Sequence, residues 1–142
     1  QVLGALGRVG AGWWSDRVGD RLRPIRIIAV AASVTMVLLG ASAPTSMAVV
    51  VMVIATVVTV ADNGLAFTAV AEIGGPAWSG RAMGIQNTGQ YVTGSLVPPL
   101  VGAVIAEQGY AIAFVLVAVF PLLAIPLVPV KPASAAKHQG KP

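Results

Sequence analysis

Cysteine is absent from the chain, which removes disulfides and thiolate metal sites together. Histidine occurs once, as His138 near the end. With no histidine in any apolar stretch, a Ser-His-Asp set has nowhere to form. Charge is scarce too: 10% of residues are Asp, Glu, Lys or Arg, against about a quarter in an ordinary soluble domain. No G-x-x-x-x-G-K-[ST] phosphate loop occurs, which argues against ATP-driven work. Nothing resembles a cleavable signal peptide. No enzyme activity, cofactor or metal site is expected.

Apolar residues fill the space that charge leaves. They make up 56% of 142 residues, and the mean hydropathy is +0.84. A soluble fold of this size cannot hide so much apolar surface in one core. A lipid solvent removes the difficulty, so an all-α, polytopic membrane helix bundle is expected.

The chain reads as five apolar segments. Residues 2–14 are too short to span a bilayer, since about 20 residues are needed, and read as a partial helix. Gly4, Gly7 and Gly10 recur there at three-residue spacing, a flat stripe suited to close helix packing. Complete spans are expected at 25–43, 47–71, 81–106 and 110–130. The joints carry turn chemistry: Pro44-Thr45-Ser46, the polar stretch EIGGPAWSG at 72–80, and Glu107-Gln108-Gly109. Pro98-Pro99 is expected to kink the fourth segment. Residues 131–142 read as a basic, disordered tail.

Between the first two segments lies GWWSDRVGDRLRPIR, residues 12–26, the most charged stretch of the chain. If every span crosses, Arg17, Arg21, Arg23, Arg26, Arg81, Lys131, Lys137 and Lys141 share one side, and the other two joints hold no basic residue. Eight against none is a strong positive-inside bias, which puts that side and the C-terminus in the cytoplasm. The same dispersal argues against a nucleic-acid groove, and no nucleic-acid partner is expected.

The charged stretch carries G-x-x-x-D-R-x-G-x-R on Gly12, Asp16, Arg17, Gly19 and Arg21. This resembles the loop signature of the major facilitator superfamily. Asp20 stands where that family usually has a basic residue. The stretch SGRAMGIQNTGQYVTGSLVPPLVGAVI is also similar to the family's helix eleven. Four spans follow the signature, so the resemblance implies the C-terminal part of such a transporter, from the end of helix eight to helix twelve, with an N-terminal half elsewhere. It further implies secondary transport of a small solute by alternating access in the plasma membrane, coupled to protons. A non-transporting scaffold, a facilitated-diffusion uniporter and a channel subunit are the alternatives.

Two groups of residues are candidate sites. Gly12, Asp16, Arg17, Gly19, Arg21, Glu72 and Arg81 gather on the basic side. They read either as an orientation signal or, by the resemblance, as a conformational latch. Asp16 ends a helix, where the dipole disfavours an anion, so a partner is expected; Arg17 or Arg21 is also expected to pair with Glu72. The second group is Asp62, Asn63 and Thr59 on the third segment with Gln86, Gln90 and Tyr91 on the fourth. Asp62 is ionisable well inside an apolar span and has either a proton- or substrate-coupling role or a structural one. Gln86, Gln90 and Thr93 form one polar stripe, and Asn87, Tyr91 and Gly94 the adjacent one. Either lines a pathway or holds helices together.

Overall fold

The computed structural model describes residues 2–129, so the tail at 131–142 lies outside the described residues. Helix α1 is Val2–Val18 and α2 is Leu22–Ser42. A helical run Met47–Val117 and a stretch Val119–Leu127 follow. Two glycines interrupt the run: Gly75 has φ 65° and ψ 178°, and Gly109 has φ 82° and ψ 172°. Only glycine adopts such dihedrals without strain. The run therefore comprises α3 (47–74), α4 (76–108) and the start of α5 (110–127). Within α5, Ala118 stays in the helical region although Pro121 has no N–H to offer the Val117 carbonyl.

The joints are much shorter than the sequence suggests. The nine-residue polar stretch reduces to Gly75 alone, because its flanks can stay helical. Glu72 ends on α3, and Pro76 opens α4 at a first-turn position where a missing N–H is harmless. Glu107-Gln108-Gly109 reduces to Gly109 in the same way. Helices α3 and α4 are thus about 40 and 50 Å long, against a hydrocarbon core of about 30 Å. Pro98 and Pro99 do not interrupt the helical dihedrals of α4. Their effect is to leave the Gly94 and Ser95 carbonyls without the usual donors four residues on.

The core joins the first three helices. Ala11 of α1, Ile28 of α2 and Ala61 and Leu65 of α3 are buried together, with Trp14, Ile25 and Val58 against them. Glycines let the helices close. A Cβ on Gly7 would lie 2.9 Å from Val57 Cγ1, and one on Gly4 3.1 Å from Val60 Cγ2. Gly40 brings α2 onto Ala111 and Val115 of α5, and residues 119–127 continue along α2. A Cβ on Gly10 or Gly12 would meet nothing within 4 Å among the described residues, so of the expected glycine stripe only Gly4 and Gly7 mark a close approach to another helix.

Helix α4 contributes no buried residue. Ile85, Val92 and Leu100 are largely exposed, as are Leu38, Val50 and Phe120 on the other helices. Apolar exposure on this scale suits lipid or further protein, not water. The stretches Leu22–Ser42 and Met47–Leu127 are each apolar and long enough to cross a membrane; the second, at 81 residues, folds back on itself as α3 to α5.

Candidate functional site

The charged stretch is built by two helix caps placed back to back. Helix α1 stops where Gly19 takes φ 65° and its N–H closes on the Ser15 carbonyl at 3.0 Å, a left-handed cap. Helix α2 starts where the Asp20 carboxylate accepts from the Leu22 N–H at 2.8 Å and the Arg23 N–H at 3.4 Å, as an N-cap does. The second Asp20 oxygen takes Arg23 Nε at 3.2 Å. Pro24, fully buried, has no N–H for the Asp20 carbonyl. The Ser15 hydroxyl, 1% exposed, donates to that carbonyl instead at 3.3 Å. Asp20, the departure from the family pattern, is therefore the residue that starts α2.

Arg21 is the hub. Its Nη1 donates to the Asp16 carboxylate and to Ser15 Oγ at 3.2 Å. Its Nε donates to Glu72 Oε1 on α3, also at 3.2 Å. The bonds to Asp16 and then Glu72 raise the guanidinium above its ordinary range. Asp16 lies in the last turn of α1 and receives the cation its position calls for. The Arg21 side chain is 27% exposed and Glu72 52%, so solvent screens the contact to about 0–1 kcal/mol.

The other members of this group stand apart. Arg17 does not reach Glu72; its guanidinium lies over the Trp13 ring, 3.9 Å from the centroid. Arg81 lies over Trp78 at 5.1 Å and, among the described residues, forms no ion pair. A Cβ added at Gly12 would meet nothing within 4 Å among the described residues outside its own helix turn. Ser15 was not singled out by sequence, although a small polar residue one turn before a positive-φ glycine is the signal that finds it.

The second group lies midway along α3 and α4. Gln90 Nε2 donates to Asn63 Oδ1 at 2.9 Å, closing α4 onto α3 across the Gly75 reversal. Around this bond is an open groove of about 620 Å³ lined by Thr59, Asp62, Asn63, Asn87, Gln90 and Tyr91, with Phe67 and Gly94 beside them. Thr59 spends its hydroxyl hydrogen on the Ala55 carbonyl at 2.7 Å. Neither Thr59 nor Asn63 bonds to Asp62, and among the described residues no side chain does. Gln86 is outside the groove, and its Oε1 is buried without a hydrogen-bond partner among the described residues. The groove takes Asn87, Gln90, Tyr91 and Gly94, which recur at i, i+3, i+4 and i+7 and so share one helix face. It thus combines members of both expected stripes.

The family description "Major Facilitator Superfamily" matches residues 1–142. Two relatives are uncharacterized MFS-type transporters from Mycobacterium tuberculosis strains. The first, from strain H37Rv, is 51% identical over 133 residues, covering 92% of this chain and 30% of the relative. The second, from the Oshkosh strain, is 50% identical over 133 residues with the same coverage, 92% and 30%. The chain therefore spans about 30% of the length of the curated relatives it matches. No solved structure gives a significant match. With a full-length family match, two relatives at half identity and an all-helical fold too apolar for water, the chain is an integral membrane protein that belongs to the major facilitator superfamily.

Proposed function

We propose that this chain forms the helix-eight to helix-twelve region of a secondary transporter, moving a small solute by alternating access together with an N-terminal half. Coupling is to a proton gradient, and Asp62 is the coupling residue. The observation that carries this reading is the groove between α3 and α4. It gathers a carboxylate, three side-chain amides and a tyrosine at mid-helix depth, where an ionisable group is costly without a function. Two helices that meet there through one side-chain hydrogen bond can part and rejoin at low cost.

The Arg21 hub lies at the end of the bundle shared by the α1–α2 turn and Gly75. In this reading that end faces the cytoplasm of a cell's plasma membrane, and the tail with Lys131, Lys137 and Lys141 lies on the same side. The hub is the latch: it ties α1, α2 and α3 together in one access state and releases them in the other. A contact of about 0–1 kcal/mol is of the right size to bias such an equilibrium without locking it.

Uptake by the full-length protein in sealed vesicles, with and without an imposed proton gradient, tests the reading. Solute flux that follows the gradient and loses its pH dependence in Asp62→Asn is expected. Gradient-independent saturable flux points to a uniporter, absence of flux to a scaffold, and non-saturable conductance to a channel; each overturns proton coupling.

A further inference from the structure

The lining of the α3–α4 groove specifies the charge of its occupant. Among the described residues, Asp62 is the only carboxylate in it, and no Lys, Arg or His lines it. The nearest cationic side chains on these two helices belong to Arg81, which lies over Trp78, more than two turns of α4 away from Gln90.

The remaining polar groups of the lining are neutral. The Thr59 hydrogen is committed to Ala55, so its oxygen offers only lone pairs to the groove. Gln90 gives a hydrogen to Asn63 and keeps its own carbonyl oxygen. Pro98 deprives the Gly94 carbonyl of its helical donor, and Gly94 lines the groove. Asn63, Asn87, Gln90 and Tyr91 keep N–H and O–H donors beside these acceptors, so the preference for charge is set by Asp62. Tyr91 and Phe67 add two aromatic rings, whose faces attract cations. The volume, about 620 Å³, falls among those of small-molecule sites, roughly 300–1,000 Å³.

We infer that the groove binds an organic monocation, an ammonium ion carrying an aromatic or apolar body, with its charge on Asp62 and its body against Tyr91 and Phe67. The inference rests on the transport reading above for its biological setting, although the site stands on its own geometry. A carboxylate- or phosphate-bearing solute places its charge beside the Asp62 carboxylate with no cation lining the groove among the described residues, which disfavours it. A neutral solute of the same shape forgoes the one charged contact available.

Three probes with one shared body separate these cases: phenethylammonium, phenylpropionate and phenylpropanol. Binding is measured on the full-length protein in detergent, and uptake in sealed vesicles. The ammonium ion is expected to bind saturably, and the carboxylate and the alcohol at least about tenfold more weakly, as replacing a charge-assisted contact implies. Asp62→Asn is expected to lose about the same factor and Asp62→Glu to retain most of the affinity. In the unaltered protein, acidification should weaken ammonium binding, because a proton and the cation compete for one carboxylate; this readout needs no variant. Preference for the carboxylate or the alcohol, or ammonium binding unchanged in Asp62→Asn, overturns the inference. Saturable binding of the ammonium ion without any flux supports the site and overturns the transport reading instead.

Discussion

Replacing Gly40 by alanine inserts one methyl where α2 and α5 come closest. The new Cβ would lie 2.7 Å from the Ala111 carbonyl oxygen and 2.9 Å from Val115 Cγ2. A carbon normally stays about 3.3 Å or more from a carbonyl oxygen, so the helices must separate by roughly 0.6 Å. The Val115 methyl can turn aside, whereas the backbone carbonyl can move only with its helix. Overpacking of this kind costs about 1–3 kcal/mol. Alanine returns up to about 1 kcal/mol through its better helix propensity. Strain wins, with a net loss of about 1–2 kcal/mol. Gly10→Ala is the matched control, because a Cβ there would meet nothing within 4 Å among the described residues; it gains the propensity term alone. Thermal unfolding of the full-length protein in detergent, followed by tryptophan fluorescence, should place Gly40→Ala several degrees below Gly10→Ala. Adding Val115→Ala to Gly40→Ala should recover part of the loss, since the carbonyl contact remains. Equal midpoints for Gly40→Ala and Gly10→Ala would refute the close approach of α2 to α5.

Arg21→Lys keeps the charge but loses the fork that spans Asp16 and Glu72. Both Arg21→Lys and Glu72→Gln should leave stability within about 1 kcal/mol while shifting the reactivity of cysteine probes placed in the groove; unchanged probe reactivity contradicts the latch. The guanidinium is raised by its carboxylate partners, so the stability it confers is present below the ordinary arginine range and lost only as pH rises beyond it. Unfolding midpoints should therefore show no alkaline decline traceable to Arg21 below about pH 12. Gly75→Ala places a side chain at φ 65° and should cost about 1–2 kcal/mol, measured by the same unfolding assay. Gln90→Leu removes the Asn63 bond and should cost about 0.6 kcal/mol while raising probe access to Asp62.

The charged turn was legible because its chemistry is local. A glycine to end one helix, an aspartate to start the next and arginines in reach all fall within a few residues of one another. Even so, sequence did not choose between Arg17 and Arg21 as the partner of Glu72. That choice depends on which side of the last turn faces α3, and Trp13 draws Arg17 away. The joints were the hardest to read. EIGGPAWSG contains every residue type that marks a loop, yet one φ of 65° at Gly75 suffices. Glycine frequency does not reveal which glycine turns. The groove inherits that difficulty: its pairing of Asn63 with Gln90 spans 27 residues and exists only because the reversal is one residue long. The family, by contrast, was visible in five residues of the first turn.

A one-residue joint also constrains how α3 and α4 enter a bilayer. With no slack at Gly75, neither helix can settle in lipid far ahead of the other. Helix α3 alone would carry Asp62 and Asn63 into hydrocarbon, with a cost of about 3 kcal/mol for the aspartate by itself. Entering as a hairpin, it brings Gln90 to Asn63 at once and sets Asp62 in a polar groove between the two helices. The same glycine that shapes the groove thereby makes the pair a single unit of membrane insertion.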